Sequence, residues 1–203
     1  SKLDTKQFSL IYDSCNLNAL IRSLVTQFKL TADQVQCRIE VAFGLSDSES
    51  DLLSDETRLM QIFSNLIVNA LRYTKNGTIS IGYVLEGKTL QFFVKDTGIG
   101  IAKKHHKKIF DRFVQVENSN NSGTGLGLSI IKEIIELMSG EIWVESVEGE
   151  GAEFYFNLPY LRGLNTKIDL AHKEDTKGVL KEDPTILIAE DEHINYLYLE
   201  ALF

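Results

Sequence analysis

The sequence predicts a layered α/β (α+β) sandwich, with helices covering a sheet of mostly hairpin-connected strands. Three observations carry this. Apolar residues recur at helical spacing in three stretches, near residues 16–29, 55–73 and 127–138. Short strand-like runs come in pairs around tight turns, 78–85 with 89–95 and 141–147 with 152–158. Helices thus alternate with hairpin-type strands, which argues against a doubly wound parallel sheet.

In chain order, residues 7–14 read as a short strand. Asn16 is placed to cap a helix through about Lys29, with Leu17, Leu20, Ile21, Leu24 and Val25 as its apolar stripe. In "VQCRIEVAF" the residues Val35, Cys37, Ile39, Val41 and Phe43 alternate, predicting a strand over 35–43 with Cys37 toward a core. "GLSDSESD" is a polar loop. A long helix follows from Asp55 to Tyr73, with Ser54 as its expected cap and Asp55 and Glu56 favourable in the first turn. "KNG" breaks it and opens a strand pair turned at Glu86–Gly87. Residues 101–124 hold a short basic helix around "KKHHKK" and the polar tract "ENSNNSG". A glycine run then launches the third helix, to Met138, and the last strand stops at Pro159.

Composition removes several functional classes. With 43% hydrophobic and 25% charged residues, the chain has the profile of a soluble globular protein. A formal net charge of -8 weighs against nonspecific binding to nucleic acid or an anionic membrane. No apolar run reaches the roughly 18 residues of a membrane span. Cys15 and Cys37 are too widely spaced for a typical metal motif, and a reduced, cytoplasmic setting fits them best. The start "SKLDTKQFSL" has neither an initiator Met nor an apolar leader, so the chain reads as a piece of a longer protein.

Four segments carry chemistry. In "NSGTGLGLSI", a dinucleotide fingerprint would need glycine at Leu128 and a strand just before, and a Walker loop would need Gly-Lys-Ser/Thr. Neither is present. Gly123, Gly125 and Gly127 still let backbone N–H groups approach an anion at the positive end of a helix. In "DETRLMQIFSNLIVNALRYT", Leu59, Ile62, Phe63, Leu66, Ile67 and Ala70 form the stripe to be buried. Arg58, Gln61, Asn65, Asn69 and Arg72 fall on a separate polar stripe. Two Asn one turn apart are poor helix formers, and a carboxamide oxygen suits Mg²⁺. In "LQFFVKDTGIGI" an apolar strand runs into Asp96, whose carboxylate can accept the exocyclic amine of adenine and repel the carbonyl of guanine. In "KIFDRFVQV", Ile109, Phe110 and Phe113 can pin a loop so that Arg112 projects toward a γ-phosphate.

Taken in order, these segments resemble the ATP-binding catalytic domain of sensor histidine kinases, within the superfamily shared with gyrase, a heat-shock chaperone and a mismatch-repair ATPase. "QIFSNLIVNALRYT" is similar to the N box, "DTGIGI" to the first G box, "IFDRF" to the F box and "GTGLGLSI" to the second G box. The resemblance covers roughly residues 8 to 159. It implies a mixed, mostly antiparallel sheet packed on one face by three helices, with a mobile ATP lid near 101–124. It implies that Asn69 binds Mg²⁺, that Asn65 supports the metal and phosphate site, and that Arg72 and Tyr73 line the nucleotide. Asp96 would read adenine, with Gly98, Gly100 and Ile101 shaping its pocket. Arg112 would serve the γ-phosphate, and Gly123, Thr124, Gly125, Leu126, Gly127 and Leu128 would wrap the phosphates. Hydrolysing relatives carry a Glu one turn before the metal-binding Asn. Asn65 stands there and cannot act as a base, so phosphotransfer is favoured over hydrolysis. A module that binds ATP and changes conformation without phosphotransfer is the rival reading.

The resemblance implies a phosphoacceptor histidine on a dimerisation hairpin, of which only residues 1–7 would be the exit. The catalytic domain would span 8–160 and a charged linker 161–183. In "DPTILIAEDEHINYLYLEALF", an apolar run leads into Glu190, Asp191 and Glu192 and then a helical stripe. Residues 184–203 look like the first strand and helix of a response-regulator receiver, with Glu190 and Asp191 as an incomplete Mg²⁺-binding pair. The expected whole is a hybrid kinase, working with its hairpin and its receiver domain.

Overall fold

The structure, a computed structural model, describes residues 9–114 and 125–162. The expected hairpin exit, the polar tract with Gly123 and Thr124, the linker beyond Arg162 and the tail with Glu190 and Asp191 lie outside the described residues.

Asn16 ends strand β1 (Asp13–Asn16) and caps helix α1 (Leu17–Gln34), its side chain accepting the Ala19 N–H at 2.9 Å. Among the described residues the strand expected over 7–14 begins only at Asp13, and it runs on to Asn16, which stays extended to cap. Strand β2 (Arg38–Ala42) points Cys37 inward, but Val41 and Phe43 remain 37% exposed. β2 is an edge strand, and the Phe43 ring takes the Arg22 guanidinium 4.7 Å from its centroid instead of a core position. Strand β3 (Asp51–Ser54) pairs with β1 and was hidden by the polar run before it.

Helix α2 (Glu56–Tyr73) is capped by Asp55, not by Ser54, which still belongs to β3. One Asp55 oxygen accepts the Arg58 N–H at 3.0 Å and the other the Ile11 N–H at 2.9 Å. The residue is buried, so Asp55→Ala strands two donors at once. We expect a loss of about 2 kcal/mol, read as a fall of roughly 4–8 °C in the thermal midpoint.

Strands β4 (Thr78–Glu86) and β5 (Thr89–Asp96) form the expected hairpin, but its turn is Gly87–Lys88, where Gly87 takes φ +64°. Two short 3-10 turns, Lys103–His105 and Lys108–Phe110, replace the expected basic helix. Helix α3 (Gly127–Leu137) leads to β6 (Glu141–Val147) and β7 (Gly151–Pro159). The main sheet runs β2-β4-β5-β7-β6, with β2 and β4 parallel and the other pairs antiparallel. The three helices pack on one face of it. Phe63 of α2 meets Phe92 and Phe156 edge-on at 5.8 and 5.4 Å, and those two strand rings stack at 4.6 Å. This cluster fixes α2 over the middle of β5 and β7.

Candidate functional site

The site is built where α2, the end of β5 and the start of α3 converge. Asp96 is the last residue of β5 and is only 5% exposed. Its Oδ1 accepts the Gly98 N–H at 2.8 Å and the Thr74 hydroxyl at 3.3 Å. Burial pushes its carboxyl above the ordinary carboxylate range, while the donors from Gly98, Thr74 and the Ala152 backbone oppose that rise. The result is a buried carboxylate on a rigid strand end, with its orientation set by neighbours.

The glycines around it serve close approach. A Cβ on Gly98 would lie 2.4 Å from the Tyr73 carbonyl oxygen and 2.8 Å from both Asp96 Oδ1 and Thr74 Oγ1. Gly100 takes φ +67°, and its Cβ would meet the Val147 carbonyl at 2.0 Å. The Tyr73 carbonyl accepts the Ile99 N–H at 3.3 Å, tying the end of α2 to this loop. Ile101 donates its N–H to Ser146 Oγ at 2.8 Å, so the loop is also anchored to β6.

Asn65 and Asn69 share the polar stripe of α2, and the stripe opposite is buried as expected from Leu59 to Ala70. Asn65 faces the start of α3: a Cβ on Gly127 would come within 2.5 Å of its Oδ1. Gly125 has φ +67° and lies against Phe113, whose N–H donates to the Gly125 carbonyl at 2.9 Å. Leu126 precedes α3 with no side chain capping the helix, so its first N–H groups keep no side-chain partner among the described residues. Leu128, with Ile131, Ile134, Ile135 and Met138, roots the helix in the core. Asn69, Arg72 and Tyr73 are half-buried and make no side-chain hydrogen bond among the described residues. The Asn65 carboxamide, beside the uncapped start of α3, fits a Mg²⁺-bound polyphosphate.

Arg112 is placed differently from the expectation. It is exposed and pairs with Glu133 of α3, Nη2 to Oε1 at 2.6 Å and Nε to the same oxygen at 3.2 Å. Ile109 and Phe110 do pin the loop, Phe110 lying edge-on to Phe154 at 6.4 Å. Phe113 does not: it is 74% exposed with φ +64°, because the left-handed turn at its backbone carries the ring outward. His106 is held by the Ile101 carbonyl at 2.9 Å, and no group of three or more His, Cys, Asp or Glu gathers among the described residues. Thr74 escaped sequence reasoning. Its only sequence signal was a hydroxyl residue at the junction after the long helix.

No helix among the described residues is long and apolar enough to cross a membrane. A family model described as "Histidine kinase-, DNA gyrase B-, and HSP90-like ATPase" matches residues 54–162. The sensor histidine kinase WalK of Bacillus subtilis is 36% identical over 166 residues, which is 79% of this chain and 27% of that protein. Hybrid signal transduction histidine kinase K of Dictyostelium discoideum is 32% identical over 213 residues, covering 96% of this chain and 17% of its own. The crystal structure of full-length ShkA in complex with AMPPNP superposes with a TM-score of 0.69 at 30% identity, over 77% of this chain and 32% of that one. The chain spans about a quarter or less of the length of the curated relatives it matches. With a family match over more than half its length, the chain belongs to the histidine kinase, gyrase B and HSP90-like ATPase family, as a catalytic ATP-binding domain of the sensor histidine kinase type.

Proposed function

We propose that this domain binds Mg²⁺–ATP and transfers the γ-phosphoryl group to a histidine on a dimerisation hairpin outside the chain. The observation that supports this is the buried Asp96 carboxylate, held by Gly98 and by Thr74 at the end of the helix that carries Asn65 and Asn69, with Asn65 set against Gly127 at the start of α3. Asp96 accepts the exocyclic amine of adenine. Asn69 holds Mg²⁺, Asn65 supports it against Gly127, and Arg72 and Tyr73 flank the phosphates. Gly123, Thr124, Gly125, Leu126, Gly127 and Leu128 wrap the polyphosphate. Arg112 reaches the γ-phosphate by exchanging Glu133 for it. Bound Mg²⁺ supplies charge neutralisation of the phosphates.

In the transfer, the bond from the γ-phosphorus to the β–γ bridging oxygen breaks and one to a histidine ring nitrogen forms. ADP leaves, and the ring N–H proton of the phosphorylated histidine passes to solvent. No carboxylate base stands at Asn65, so the chain contributes positioning and charge more than proton abstraction. The parent is proposed to be a cytoplasmic-facing hybrid kinase, with 184–203 opening its receiver. The pattern of the tail supports this, as does similarity to a hybrid kinase over nearly the whole chain.

The test mixes the chain with its matching hairpin, Mg²⁺ and ATP labelled at the γ-phosphate. Phosphohistidine should form, and Asn69→Ala should slow it by about 100-fold or more. Normal ATP binding without phosphohistidine would replace this reading with a nucleotide-gated module. Steady release of phosphate in the absence of the hairpin would replace it with an ATPase.

A further inference from the structure

Thr74 is fully buried at the junction between α2 and the loop leading to β4. Three of its groups are held. Its N–H donates to the Ala70 carbonyl at 3.0 Å, its carbonyl accepts the Cys37 thiol at 3.6 Å, and its hydroxyl donates to Asp96 Oδ1 at 3.3 Å. Its methyl carbon fills the space left by Gly77, where a Cβ would lie 2.7 Å away. Backbone and methyl together leave the hydroxyl one direction, toward the carboxylate.

A valine would fill the same volume, so packing alone does not ask for this hydroxyl. We propose that Thr74 is a positioning and specificity-determining residue: its hydroxyl, with the Gly98 N–H, anchors Asp96 Oδ1 and so presents Oδ2 to the exocyclic amine of adenine. This rests on the reading of Asp96 as the adenine acceptor. Beside the Ala152 backbone donor, these two donors on one oxygen restrict rotation of the carboxylate about χ2, and losing the hydroxyl loosens it. They also favour the charged form against burial, which presses toward the neutral acid. Thr74 further links the two halves of the site. It closes the helix that carries Asn65 and Asn69 and touches the strand end that carries Asp96. A shift of that helix end would be felt at the adenine acceptor.

The test is calorimetric titration of the full chain with ATP and with purine riboside triphosphate, which lacks the exocyclic amine. Thr74→Val should weaken ATP binding about tenfold and leave the amine-free nucleotide unchanged, so the preference for ATP shrinks by the same factor. Thr74→Ser, which keeps the hydroxyl, should restore it. Equal weakening of both nucleotides, or an undiminished preference in folded Thr74→Val, overturns the proposal and leaves Thr74 a packing residue. If Thr74→Val does not fold, Thr74→Ser against Thr74→Ala makes the same comparison. Asp96→Asn separates the two levels. Should it keep the full preference for ATP, the adenine reading of Asp96 fails and the role of Thr74 falls with it. Should it lose the preference while Thr74→Val keeps it, only the role of Thr74 is refuted.

Discussion

Asp96→Asn should cost about 100-fold or more in ATP affinity while leaving the nucleotide-free protein at least as heat-stable as the wild type. The two halves of this expectation have one cause. Asp96 is buried, so its ionised form loses hydration, and its carboxyl is raised above the ordinary value of 3.8. A carboxyl raised on folding binds its proton more tightly in the folded chain. Its contribution to stability is therefore full below the unfolded value and is lost as pH rises through the folded one. At neutral pH the charge is a burden on the fold, and asparagine removes it. The amide oxygen can still accept from Gly98 and Thr74, but its nitrogen donates where adenine also donates. Calorimetry with ATP and a thermal scan of the free protein check both halves. A lower midpoint together with lost binding would mean simple unfolding and would remove the inference. The same shift predicts that ATP binding by the wild type weakens as pH falls through the raised value and that the mutant shows no such limb.

That charge explains why sequence reasoning found Asp96. A carboxylate ending an apolar strand is a local conflict, and such conflicts mark function when the rest of a segment is consistent. The buried stripe of α2 and the isoleucines of α3 were legible for the opposite reason, since periodicity states a face directly. What sequence left unread depends on contacts between distant segments. Strand β3 is defined by pairing with β1, so its four residues carry no period of their own. Asp55 takes the cap because Ser54 is needed in that pairing. Asn65 was read as part of a metal site, but its contact with Gly127 joins two helices and appears only when both are placed. Arg112 could be assigned a cation's role from type and motif. That it meets Glu133 is a fact of how the loop docks on α3.

Gly98→Ala tests the cleft by steric means, and here the expected effect falls on fold and site together. The added methyl would stand 2.4 Å from the Tyr73 carbonyl oxygen, well inside van der Waals contact. That oxygen cannot withdraw freely, because it belongs to the last turn of α2 and accepts the Ile99 N–H. The remaining neighbours, Asp96 Oδ1 and Thr74 Oγ1, are the two atoms whose bond orients the carboxylate. Relief must therefore come from parting Thr74 and Asp96 or from lifting the loop off the helix end. We expect a loss of about 3 kcal/mol, a midpoint lower by roughly 6–12 °C, and ATP affinity down at least tenfold. Gly87→Ala is the matched control. It too sits in a turn, at φ +64°, but nothing lies within 4 Å of its Cβ position. Strain there should cost about 1 kcal/mol and leave ATP binding untouched. A Gly98→Ala protein that binds ATP as tightly as the wild type would show that the Thr74–Asp96 geometry does not govern recognition, even where the loop around it has been forced to move.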